Sequence, residues 1–140
     1  MLFLWVLFCF GKENVEYLTK TFMQELLKIP YVAVPKLIKN VHFHPEHPEN
    51  HNVKITNKKL PYASVWNGKN GWELRNKKEV IENMVDKSYS LIETEYEKND
   101  LDKKKHDNFK NFQKKFNDED KEVHKMMVKD SELVILNESK

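Results

Sequence analysis

One cysteine, three glycines and a formal net charge of only +2 set the first limits on this chain of 140 residues. The lone Cys9 excludes an internal disulfide and any zinc finger built on paired cysteines within the chain. A reducing compartment is its simplest setting. Three glycines leave no Gly-rich loop to cradle a nucleotide, and the sequence holds no Gly-x-Ser-x-Gly elbow and no His-Glu-x-x-His pair. A near-neutral charge removes the broad basic excess of a dedicated nucleic-acid binder. Bilayer-length apolar runs are missing as well. The one apolar run, MLFLWVLFCF from Met1 to Phe10, spans about 15 Å as a helix, half a hydrocarbon core.

What is present argues for a folded protein. Charged residues make up 33% and mean hydropathy is −0.76, yet aromatics reach 11%, more than disordered chains carry. Residues 1–10 read as an apolar N-terminal segment and 11–140 as a single α+β domain. The first ten are expected to be a buried first element or a degenerate start. The alternative is the apolar region of a signal segment, since Cys9 and Gly11 are small enough for a cleavage site.

Periodicity then gives the elements. Asn14 is a candidate N-cap for a helix in which Val15, Leu18, Phe22, Leu26 and Ile29 recur, ending near Lys28 before Pro30. Pro35 suits the first turn of a second helix running to about His42, which completes an N-terminal helical hairpin. Val53–Thr56 alternates as a short strand. Tyr62–Trp66 and Trp72–Arg75 flank Asn67-Gly68-Lys69-Asn70-Gly71 as a β-hairpin, so a short three-stranded antiparallel sheet is expected over about 53–75. Two or three C-terminal helices follow. The first carries Val80, Ile81, Met84, Val85, Leu91 and Ile92. The second carries Phe109, Phe112 and Phe116, and the last carries Val123, Met126 and Met127.

Between the helical hairpin and the sheet lies Val41-His-Phe-His-Pro-Glu-His-Pro-Glu-Asn-His-Asn52, with four of the six histidines. Pro45 and Pro48 force an irregular loop. With Asn50 they are the expected structural fixings of that loop. Neutral imidazoles ligate zinc, so His42, His47 and His51 are the metal candidates. Their spacing, which includes His44, matches no established zinc pattern. The competing reading has His42 and His51 bridging backbone groups where helix meets strand. No other cofactor is indicated.

Three stretches together resemble a known family. They are Pro35–Ile55 with its His-Pro-Glu-Asn-His-Asn phrase, the Tyr62–Leu74 hairpin, and Arg75–Met84 (Arg-Asn-Lys-Lys-Glu-Val-Ile-Glu-Asn-Met). They resemble a domain of uncharacterised giant-virus, mimivirus-like proteins often labelled C2H2-type zinc-finger proteins, over about residue 10 to the C-terminus. Longer members carry a Cys/His segment upstream, where this chain has MLFLWVLFCF, and the family pattern has asparagine where this chain has His44. The resemblance implies a viral accessory protein acting in host cytoplasm or viral factory. The secretory route replaces these if residues 1–11 act as a signal segment.

Three functions follow as expectations. The leading one is a non-enzymatic interaction module that contacts DNA, RNA, or a viral or host protein through the 42–52 loop and a lysine-rich hairpin face. Lys54, Lys58, Lys59, Lys69 and Arg75 are its candidate phosphate contacts. Trp66 and Trp72 are expected to pack into the sheet, with stacking on bases as the alternative. The second is a relic of an HNH-like metal nuclease using His42, His47 and His51. Against it, the hairpin follows the histidines and the helix from Glu79 to Tyr96 contains none. The third is a structural or assembly protein without a site.

Overall fold

A computed structural model describes residues 6–140. Among them five α-helices and one three-stranded antiparallel sheet form an α+β fold. Helix α1 spans Lys20–Leu27 and α2 spans Pro30–His42. The strands are β1 (Val53–Lys54), β2 (Tyr62–Trp66) and β3 (Trp72–Asn76), in the order β1-β2-β3. Helices α3 (Lys77–Lys98), α4 (Lys103–Phe116) and α5 (Glu122–Glu138) complete the chain.

The first helix begins later than its periodicity suggests. Asn14 does not cap it, because its backbone is held elsewhere: the Asn14 N–H donates to Asn50 Oδ1 at 2.8 Å and the Asn14 carbonyl accepts from Asn50 Nδ2 at 2.6 Å. The Asn14 side chain closes a local turn on the Glu16 N–H instead. Thr19 caps α1, its hydroxyl accepting from the Phe22 N–H at 3.0 Å.

The second helix begins earlier. Pro30 occupies its first position and Pro35 lies inside it. An internal proline costs about 3 kcal/mol through a lost hydrogen bond and a ring clash. Burial offsets that cost: Ala33, Val34, Leu37 and Ile38 are fully buried and Val41 nearly so, at roughly 1.5–3 kcal/mol for each large side chain. Helix α2 is the central rod, packed against α1, α3, α4 and α5.

Helices α3 and α4 follow the predicted stripes, but on α5 Met126 is exposed and Met127, Ser131 and Ile135 form the buried face. Asn76 Oδ1 accepts from the Glu79 N–H to cap α3, and Asp102 Oδ1 caps α4 through the Lys105 N–H. Phe109 and Phe112 on α4 and Met127 and Ile135 on α5 are fully buried. Tyr89 of α3 stacks on Phe116 with ring centroids 3.9 Å apart.

The sheet packs its odd-numbered face inward. Val53, Ala63 and Val65 are buried on that side, where β2 and β3 meet α3 and β1 meets α5. Strand β1 stops after two residues, short of Thr56, because the Ile55 N–H leaves the ladder and donates to Ser139 Oγ at 3.1 Å. The hairpin pairs Trp66 with Trp72 and Ala63 with Arg75. Its five-residue connection takes the positive φ angles at Gly68 (55°) and Gly71 (70°), not at Asn67. A Cβ on Gly68 would meet Cys9 Sγ at 3.1 Å.

Of the apolar start, residues 1–5 lie outside the described residues. Val6–Phe10 is neither helical nor buried as a unit. Val6 and Phe8 are exposed, while Leu7, Cys9 and Phe10 are half-buried. The segment runs alongside the sheet and loop, with the Phe8 N–H on the Glu49 carbonyl and the Phe10 N–H on the Trp66 carbonyl.

The burial pattern sets a contrast that chemical denaturation reads directly. Phe112→Ala is expected to lower unfolding free energy by about 3–5 kcal/mol. Leu74→Ala, at a side chain 69% exposed on β3, is expected to fall within about 0.5 kcal/mol of wild type.

Candidate functional site

The histidine stretch folds into a loop braced by a short 3-10 turn at Pro48–Asn50, and its rings have separate employments. His42, at the end of α2, is 4% exposed, and its Nδ1–H donates to Asn52 Oδ1 at 2.9 Å. His44 Nδ1 accepts from the Glu46 N–H at 3.1 Å. The His47 ring lies flat on Tyr17, centroids 3.6 Å apart, and its Nδ1–H donates to Glu49 Oε1 at 3.0 Å. His51 donates through Nε2 to the His44 carbonyl at 2.8 Å. The structure thus does not bring His42, His47 and His51 together. Among the described residues no three His, Cys, Asp or Glu side chains are grouped to hold a metal ion.

Pro45 and Pro48 lie at the two bends of the loop, and Asn50 is fully buried, paired with the Asn14 backbone as described. Tyr17 completes this side. Its hydroxyl donates to the Asn40 carbonyl at 2.6 Å, at the C-terminal end of α2. Burial and the neighbouring Glu49 carboxylate push the Tyr17 hydroxyl pKa up. Burial also acts to raise Glu49, but hydrogen bonds from its own N–H, His47 and Asn14 outweigh it and hold the carboxyl below its ordinary value.

A buried polar chain runs from this loop to Glu13, a residue no sequence pattern marks. The Asn52 amide is fully buried. Its Nδ2 donates to Glu13 Oε2 at 2.8 Å and to the Phe8 carbonyl at 3.0 Å, while its Oδ1 takes the His42 proton. Those partners fix which amide atom is oxygen, and hence the His42 tautomer. The Glu13 side chain is 2% exposed and receives the Gly11 N–H at 2.6 Å and Lys87 Nζ at 3.1 Å.

Burial works against ionising Glu13, but His42, Asn52, Lys87 and the Gly11 N–H together hold its carboxyl below the ordinary 4.5. For His42 burial wins over the Glu13 carboxylate and pushes the imidazole below its ordinary 6.5. The distance agrees with a neutral ring, since His42 Nε2 stands 3.9 Å from Glu13 Oε1, beyond hydrogen-bond reach. Beside this pair, between residues 10–15, α2 and α3, opens a cavity of about 220 Å³.

The basic candidates divide between two faces of the sheet. Register puts Lys54, Ser64 and Leu74 in one row of the solvent face, flanked by the Tyr62–Asn76 and Trp66–Trp72 pairs. Trp72 is 38% exposed, Tyr62 50% and Leu74 69%, with Trp66 half-buried. The two indoles meet edge to face at 5.7 Å, and Lys54 Nζ sits 4.1 Å from the Trp72 ring centroid. The tryptophans therefore pack on each other at the surface and not into the core. Lys58 and Lys59 are exposed on the loop after β1, and Lys69 is exposed at the hairpin tip. Arg75 alternates to the inner face and lines the cavity, so it leaves the group with which its sequence position places it.

Set against protein-family models, curated proteins and solved structures, the chain matches none of them.

The two depressed pKa values carry the same sign for stability. Where the folded pKa lies below the unfolded one, the unfolded chain binds more protons and folding weakens as pH falls. His42 begins this loss below its unfolded value of 6.5, and Glu13 adds to it below 4.5. Urea melts from about pH 8 down to about pH 5 are expected to show a falling midpoint in wild type. His42→Gln, which removes the titrating ring, is expected to give a shallower fall over that window.

Proposed function

We propose that the chain is a non-enzymatic module that holds single-stranded nucleic acid on the solvent face of its sheet. The observation that carries this reading is the solvent face of the sheet, where Tyr62, Trp72 and Leu74 are exposed, Trp66 is half-buried and Lys54 is set against an indole. Aromatic faces stack on any base, and flanking cations track the phosphates. Charge supports the same reading. Without the inward Arg75, residues 53–78 hold six Lys against one acid, Glu73, an excess of five within a chain of net +2. The positive charge that composition conceals is therefore gathered on and around the hairpin. A double helix suits the face less well, because flat exposed rings need unpaired bases to stack on. The viral accessory setting rests on the resemblance carried by Pro35–Ile55, Tyr62–Leu74 and Arg75–Met84.

Tryptophan fluorescence during titration with an oligothymidylate tests the proposal. Binding is expected to quench the indoles and to weaken with salt at a log–log slope of about −2 to −3, as for three or four phosphates on a single strand. Trp72→Ala is expected to cost about 1–3 kcal/mol, and Lys54→Glu to weaken binding and flatten the slope. Lys104→Glu on α4 serves as the control and is expected to change little. A face that ignores oligonucleotides at low salt, or binds them equally well without Trp72, overturns the proposal. Self-association through that face, with no response to oligonucleotide, makes it a protein-docking surface instead.

A further inference from the structure

Arg75 is the only arginine in the chain, and it points away from the exposed aromatic row. Strand alternation and its register opposite Ala63 turn it to the inner face of the sheet. There it is half-buried at the wall of the 220 Å³ cavity. Its guanidinium carbon lies 5.9 Å from the Phe10 ring centroid. Among the described residues no acid lies within ion-pair distance of it.

The other charges at the cavity are matched. Glu13 is answered by Lys87 at 3.1 Å, by the Gly11 N–H and by the Asn52 amide, and His42 is held neutral by its burial. One positive charge is left over, on a planar group whose paired N–H donors match a carboxylate two by two. A charge withdrawn from water without a partner is costly. The remaining walls are apolar, supplied by Phe10, Val41, Met84 and Leu91, with Asn83 and Ser88 offering neutral hydrogen-bonding groups. At 220 Å³ the space falls below the ~300 Å³ at which sites for drug-sized molecules begin, so it suits one ring.

We propose that this cavity binds a compact organic monoanion, a single flat apolar ring bearing one carboxylate, with Arg75 gripping the carboxylate and the ring lying between Phe10, Val41 and Met84. Charge selects an anion and limits it to one. A second negative charge would find no further unmatched cation, because Lys87 is already paired with Glu13. The inference is independent of the outer face of the sheet, which the cavity does not share.

Benzoate is the probe, benzamide its neutral isostere and inorganic phosphate its ringless counterpart. The readouts are the melting temperature of the full chain and the Arg75 Nε–H resonance. Millimolar benzoate is expected to raise the melting temperature saturably and to shift that resonance. Benzamide and phosphate are each expected to bind weaker by about tenfold or more. Arg75→Gln is expected to lose about tenfold or more in benzoate affinity while melting near wild type without ligand. Met84→Trp, which fills the space, is expected to abolish binding, and a misfolded Met84→Trp leaves the decision with Arg75→Gln. The proposal is overturned if millimolar benzoate gives no saturable response, if benzamide or phosphate binds within tenfold of it, or if Arg75→Gln retains it.

Discussion

The buried carboxamide of Asn52 is the joint on which the other parts depend. It is fully buried and meets three groups at once: the His42 ring at the end of α2, the Glu13 carboxylate and the Phe8 carbonyl. Its own backbone carbonyl accepts from the Trp66 N–H at 2.9 Å, which ties the same residue to the end of β2. Helix, sheet and N-terminal segment thus share one residue. Such a network holds firmly because each buried group has its partner. Removing one member leaves the others unsatisfied, at about 1–3 kcal/mol for each stranded group.

Asn50 repeats the device two residues earlier. Its amide presents an acceptor and a donor to the Asn14 backbone, as a neighbouring strand would. Between them the two asparagines fasten residues 8–14 across the end of α2 and over α3. That strap supplies Phe10 and Gly11 to the cavity wall. It also supplies the carboxylate that neutralises Lys87 and thereby leaves Arg75 as the unmatched charge. The prolines contribute indirectly. By excluding α-helix and strand from residues 44–50 they leave the histidine and asparagine side chains to meet the backbone one by one.

Much of the fold was legible in the sequence because it follows from periodicity. Helices α3 and α4 are amphipathic, so burial and local pattern agree, as for Phe109, Phe112 and Phe116. The misplaced boundaries share a different cause. Asn14 has the chemistry of a cap, but a residue 36 positions away claims its backbone. Pro35 looks like a helix start, but the burial of its neighbours outweighs its cost. The site was half legible. The histidine loop stood out by composition, and its four rings make separate structural contacts. Its decisive partner, Glu13, lies in an irregular segment where no period marks a buried residue. Among the lysines, strand parity alone separates Arg75 from Lys54: an odd and an even position on one small sheet face opposite ways.

Amide hydrogen exchange on wild type and Asn52→Ala tests the joint most directly. The amides of Phe8, Phe10 and Asn14 report on the strap, because they donate to the Glu49 carbonyl, the Trp66 carbonyl and Asn50 Oδ1 respectively. If one carboxamide holds the strap, all three lose protection together in the variant, while core amides such as Ile92 keep theirs. Wild-type protection at those three amides in the variant would contradict the account, because the strap would then be held by something other than Asn52.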